Sequence, residues 1–137
     1  MYFRDEYWFL SNMYPCSIKT SIGTFTCVES AFQSQKDVTR SKEFLKLDGK
    51  QAKYLGRQVN LRPDWTDTKL ELMYKIVKAK FVQHPDLAEK LIAIKEPIVE
   101  TNYWKDYYWG VCYGVGENNL GKILMRVRDE LSKDTNL

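Results

Sequence analysis

Residues 66–83 constrain this chain more than any other stretch. Leu70, Met73, Tyr74, Ile76, Val77 and Phe81 recur at the three- and four-residue intervals that line up side chains on one face of a helix. Thr66 is expected to cap its start. An apolar stripe this long has to be covered by other elements, so the segment is predicted to be the central core helix. A second stripe, Leu120, Ile123, Leu124, Val127 and Leu131, predicts a last helix from Asn118, with Arg126 and Arg128 on its other faces. Residues 86–94 repeat the pattern until Pro97 stops it. Two shorter helical patterns, 42–47 and 51–56, are divided by the turn dipeptide Asp48-Gly49.

Extended structure is scarcer. Residues 17–20 and 24–27 are rich in β-branched and aromatic side chains and flank a turn at Ser21-Ile22-Gly23, which predicts a short hairpin. Ile98-Val99 suggests another brief extended piece, and the aromatic run 7–15 reads as a loop packed by its own rings. With 137 residues and 44% hydrophobic content the expectation is one domain, 1–137, with one core. Its class is α+β, mainly helical, with a small antiparallel hairpin near the N-terminus.

Composition also excludes chemistries. The three cysteines, Cys16, Cys27 and Cys112, are scattered, which argues for neither a disulfide framework nor a zinc site. The single histidine, His84, sits before a proline and is expected at a helix end. Ser-His-Asp triads, Cys-His dyads and most zinc hydrolase sites need positioned imidazoles. Catalysis is therefore expected to rest on Glu, Asp, Lys or Tyr, with no metal and no cofactor. A net charge of +3 permits an anionic ligand but is far from the footprint of a dedicated nucleic-acid binder. Arg4, Asp5 and Glu6 occupy the place where a signal peptide needs its apolar core, and no run approaches the length of a membrane span. The expected setting is the cytoplasm.

Two stretches carry candidate chemistry. In Val28-Glu29-Ser30-Ala31-Phe32-Gln33-Ser34-Gln35-Lys36, Glu29, Gln33 and Lys36 fall on one helical face beside an apolar one. Such a stripe is either a solvated face or a site. Glu29 and Lys36 are about 10.5 Å apart along the axis, beyond i, i+4 pairing but suited to facing one small molecule from two sides. The second stretch, residues 107–121, is a glycine-rich loop running into a helix. Its backbone N–H groups around Gly116, Asn118 and Asn119 are candidates for phosphate. Asn119 stands where a dinucleotide fingerprint has its third glycine, and no βαβ pattern surrounds it, so a Rossmann reading is rejected. Trp65 beside Arg62 and Asp64, and Tyr108-Trp109 beside Asp106, place rings next to charges, as a nucleotide pocket requires or as a core does.

Taken together the segments resemble the YbiA-like, or NADAR, family. The matching stretches are Phe9-Leu10-Ser11-Asn12-Met13-Tyr14-Pro15, Val28-Glu29-Ser30-Ala31-Phe32-Gln33, Leu61-Arg62-Pro63-Asp64-Trp65, Lys80-Phe81, Asp106-Tyr107-Tyr108-Trp109-Gly110 and residues 116–125. The resemblance implies an enzyme that cleaves N-glycosidic bonds, either of ADP-ribosylated guanine or of phosphorylated ribosylamine intermediates of riboflavin synthesis. It further implies Glu29 as the catalytic carboxylate and Lys36 as the active-site amine. Asn12, Gln33, Arg62, Trp65, Asp106, Tyr108, Trp109, Gly116, Asn118 and Asn119 are the substrate-binding candidates. The implied partner is an ADP-ribose-containing nucleotide or ADP-ribosylated nucleic acid. A non-catalytic ADP-ribose-binding module is the rival from another class. One departure is that Ser30 stands where the family often has histidine.

Overall fold

A computed structural model describes residues 1–135. The chain forms two compact units. One comprises residues 12–83, and the other joins residues 1–11 to residues 84–137.

In the unit 12–83, β1 (Ile18–Lys19) and β2 (Thr24–Phe25) pair antiparallel, with Ile18 opposite Phe25. This is the predicted hairpin, and Gly23 at its turn takes φ +151. Helix α1 (Val28–Ser34) follows at once, capped by the Cys27 sulfur, which accepts from Ser30 N. A 3-10 segment (Val38–Phe44), α2 (Gly49–Gly56) and α3 (Trp65–Gln83) complete the unit. Its core gathers Ile18, Phe25, Val28, Phe32, Phe44, Met73, Val77 and Phe81. Each large apolar side chain of this kind contributes about 1.5–3 kcal/mol by leaving water.

Several local expectations shift. The pattern at 42–47 forms instead as the 3-10 segment beginning at Val38, because the Asp37 carboxylate accepts from Thr39 N and fixes an earlier start. Asp48 is a cap as well as a turn residue: it closes a capping box with Gln51 and starts α2 at Gly49. Helix α3 begins at Trp65, one residue before the Thr66 cap, since the Asp64 carbonyl already accepts from Asp67 N and Thr68 N. Along α3, Leu70 is exposed, whereas Lys80 continues the buried stripe at 1% exposure. Burial lowers the Lys80 pKa to about 8.

In the other unit, residues 5–10 are a 3-10 helix rather than a loop, with Asp5 and Glu6 in its first turn and Phe9 and Leu10 buried. Helix α4 (Pro85–Ala93) starts after His84, and α5 (Asn119–Thr135) buries Leu120, Ile123, Leu124 and Val127 as the periodicity requires. Extended structure lies at β3 (Thr101–Asn102), beyond Ile98-Val99, and pairs parallel with β4 (Val111–Cys112). Residues 1–11 return to the later chain within this unit: Thr101 N donates to the Met1 carbonyl, and the Tyr7 hydroxyl to Glu96. Among the described residues no helix is long and apolar enough to cross a membrane.

Candidate active site

Helix α1 is not an amphipathic surface helix. All of its residues, Val28 to Ser34, are buried, so Glu29 and Gln33 form no solvated stripe. Each is only 6% exposed. A carboxylate buried this deeply is costly unless something answers its charge. Here it lies in the first turn of the helix, where the dipole favours negative charge, and the Gln33 amide donates to Glu29 Oε1 at 2.8 Å. Asn12 anchors the same turn by accepting from Glu29 N at 2.9 Å, while its own amide reaches the Met73 sulfur.

The helix ends at Ser34, short of Lys36. Gln35 N is shared between the Gln33 and Phe32 carbonyls and Lys36 N donates to the Gln33 carbonyl, tightening the last turn. Arg62 then holds the departing chain, its backbone N donating to the Lys36 carbonyl at 2.8 Å. The Arg62 guanidinium is occupied by a two-point pair with Asp64 at 2.6 and 3.0 Å. Lys36 is thus placed by a turn rather than by helical register. Its ammonium lies 5.9 Å from the centre of the Trp65 ring, which in turn packs at 5.0 Å on Phe32.

Burial is the largest influence on Lys36 and holds its pKa below the ordinary lysine value; Glu29 opposes this, while Arg57, Lys53 and Lys69 add to it. A partly desolvated amine at the end of a helix that begins with a buried carboxylate is equipped for proton transfer and nucleophilic attack. Ser30 adds nothing on this side, because its hydroxyl donates back to the Cys27 carbonyl at 3.0 Å.

Gln33 shows a further feature. Among the described residues, its Oε1 is a buried side-chain atom without a hydrogen-bond partner. Turning the amide over would aim oxygen at Glu29 Oε1, so the hydrogen bond that Glu29 accepts holds Gln33 Oε1 in the unsatisfied position. That oxygen faces Gly56 at the end of α2, where a Cβ would collide with it.

The remaining candidates, Asp106, Tyr108, Trp109, Gly116, Asn118 and Asn119, lie in the other unit and build its loop. Asp106 Oδ1 accepts from Tyr108 N and Trp109 N at 3.2 and 2.9 Å. Asn118 takes φ +55, accepts from Glu100 N and donates to the Ile98 carbonyl, while the Asn119 amide donates to the Tyr108 carbonyl. The backbone N–H groups of Glu117, Asn118, Asn119 and Leu120 donate to the carbonyls of Tyr107, Gly110, Tyr108 and Trp109. Of the amides expected to face phosphate, those of Asn118 and Asn119 are engaged within the loop itself. Gly116, at φ +148, packs against the Gly110 carbonyl. Tyr108 and Trp109 meet edge to face at 4.8 Å. Lys53, Arg57 and Lys69 had no place in the sequence reading, since charges on short helices look like solvated faces. No group of three or more His, Cys, Asp or Glu among the described residues could hold a metal ion.

A mainly helical α+β fold with a buried carboxylate in one short helix and a pKa-lowered lysine in the turn after it defines the class. The NADAR domain family matches residues 1–132, and the chain belongs to that family. It is 33% identical over 134 residues to the N-glycosidase YbiA of Escherichia coli, covering 93% of this chain and 84% of that protein. An N-glycosidase of Nostoc punctiforme is 32% identical over 136 residues, covering 93% and 87%. A riboflavin biosynthesis protein of Vibrio vulnificus is 38% identical over 135 residues, covering 94% of this chain, which spans only 37% of that protein's length. The NMR structure of Escherichia coli YbiA superposes with a TM-score of 0.87 at 32% identity, covering 98% of this chain and 84% of that one.

Proposed function

We propose that this protein hydrolyses the N-glycosidic bond of an ADP-ribose-type substrate, ADP-ribosyl-guanine in a nucleotide or a nucleic acid, using Glu29 and Lys36. The observation that carries the reading is the pairing of a buried, amide-held Glu29 with a Lys36 whose pKa is lowered, in a chain related to N-glycosidases. Glu29 delivers a proton to the ring oxygen as the ribose opens. The neutral Lys36 amine adds to the exposed C1, and the base departs with a proton. The Schiff base between Lys36 and C1 is then hydrolysed by water, which restores the amine and leaves the ribose with a hydroxyl at C1. Lysine attacks only as the free amine, and its lowered pKa raises that fraction near neutrality.

A second reading is favoured by the Vibrio vulnificus relative, whose name refers to riboflavin biosynthesis. There the bond cleaved belongs to a phosphorylated ribosylamine. Both readings share the glycosyl carbon, the carboxylate and the amine.

Mass spectrometry of ADP-ribosylated guanosine incubated with the protein, with Glu29→Gln and with Lys36→Ala tests the proposal, with borohydride present to trap an adduct. Expected are release of ADP-ribose by the unaltered protein alone and a borohydride-dependent mass increase on the peptide carrying Lys36. Loss of activity in Glu29→Gln should reach about a hundred- to ten-thousandfold. Turnover that survives Lys36→Ala excludes the covalent route, and an unchanged substrate excludes ADP-ribosyl-guanine.

A further inference from the structure

Positive charge is unevenly distributed along this chain. Residues 12–83 hold thirteen Lys and Arg against seven Asp and Glu, a net +6, whereas residues 1–11 and 84–137 hold eight against eleven, a net −3. Part of the excess gathers where α1, α2 and α3 meet the candidate active site.

Three geometric facts define the place. Gly56 of α2 packs on the Gln33 amide, and beside that contact Lys53, in the last turn of the helix, and Arg57, its C-cap, lie four residues apart on one exposed face. On α3, Lys69 stands one turn beyond Trp65, the ring that faces the Lys36 ammonium. The unpartnered Gln33 Oε1, on a side chain more than nine-tenths buried, points toward this same end of α2. The charges of Arg57, Lys53 and Lys69 are all felt at Lys36. Among the described residues neither Lys53 nor Arg57 is held in an ion pair, in contrast to Arg62 and Arg40, which Asp64 and Glu43 occupy.

Helix-dipole stabilisation alone accounts for two cations at the C-terminal end of α2. It does not account for their convergence with a third cation from α3 and a buried acceptor from α1. Glu29 offsets part of the repulsion that these cations exert on Lys36, and a bound anion among them adds to that offset.

We infer that Lys53, Arg57 and Lys69 form a binding site for the phosphate ester on the 5′ carbon of the ribose that is cleaved. Arg57 supplies planar paired donors to the phosphate oxygens and the two lysines supply point charges. This rests on the proposed N-glycosidase reading, and the ester is common to ADP-ribose and to a phosphorylated ribosylamine.

The test is calorimetric binding of ribose 5-phosphate, ribose and ADP-ribose to the unaltered protein, to Lys53→Ala/Arg57→Ala and to Lys69→Ala. Lys75→Ala serves as a control for the loss of a single charge. Expected is binding of ribose 5-phosphate that weakens ten- to a hundredfold in the double variant and several-fold in Lys69→Ala, with Lys75→Ala and free ribose little affected. ADP-ribose weakening in parallel assigns the site to the phosphate nearest the ribose in a diphosphate; ribose 5-phosphate alone weakening assigns it to a monophosphate ester. Equal binding of ribose 5-phosphate by all variants, or none by the unaltered protein, overturns the inference. These readouts do not depend on turnover, so the site stands or falls separately from the assigned reaction. Circular dichroism of each variant confirms that it is folded.

Discussion

Helix α1 and the loop leading into α5 were the two stretches of sequence with candidate chemistry, and they treat polar groups in opposite ways. Around Asn118 the loop closes on itself: Asp106, Asn118, Asn119 and four successive backbone N–H groups all find partners inside one unit. Around α1 polarity is buried and left incomplete, with an acceptor on Gln33 lacking a donor and an amine on Lys36 pushed toward neutrality. Unmet hydrogen-bonding capacity in a folded interior costs free energy and is rare in native proteins. Rich polar composition therefore does not by itself mark a site.

That contrast can be broken experimentally. The largest expected effect is structural, at Asn118. Asn118→Ala strips the Glu100 N–H and the Ile98 carbonyl of their partners and places alanine at positive φ, which should cost about 3–5 kcal/mol in urea denaturation. A loss below about 1 kcal/mol would show that the loop is not the closed scaffold described.

Next is Lys80, buried with a pKa of about 8 against an ordinary 10.5. Between those values the unfolded chain binds more protons than the folded one, so stability rises with pH across the window, and below pH 8 the penalty is present in full. By linkage it amounts to about 3 kcal/mol. Lys80→Met should therefore lose the rise in stability between about pH 8 and 10.5, read from melts at stepped pH. An unchanged slope would mean that other groups carry it.

Smaller effects sharpen the distinction between site and scaffold. Gln33→Ala removes the donor to Glu29 together with the orphan acceptor, so turnover should fall about ten- to a hundredfold while stability falls by about 1–3 kcal/mol, less than at Asn118. Stability loss comparable to that of Asn118→Ala would make Gln33 a structural residue. Smallest is Gly56→Ala, whose methyl group displaces the Gln33 amide but gains about 1 kcal/mol of helix propensity. A drop of a few-fold in kcat with an unchanged melting temperature is expected.

How much of this was legible beforehand depends on the range of the interactions involved. The α5 stripe and the hairpin are set by neighbours within a few residues, and both appeared as the pattern required. Lys36 was assigned by register to a helix that ends at Ser34, because the turn after it is held by Arg62, twenty-six residues later. Strands β3 and β4 escaped notice since they pair parallel, Thr101 with Val111, with no hairpin turn to mark them. In the candidate site, residue types announced Glu29 and Lys36. The approach of Lys53 and Arg57 depends on a bare glycine meeting an amide across two helices, which no single segment records.

The division of the chain has a consequence for its biosynthesis. Residues 12–83 form a continuous unit, whereas the other unit needs residues 1–11 to meet partners such as Glu96 and Thr101. A chain emerging from the ribosome can fold its middle while its beginning waits for about ninety residues to be made. The closing of that long loop, which grows only slowly more costly with length, is then the late event.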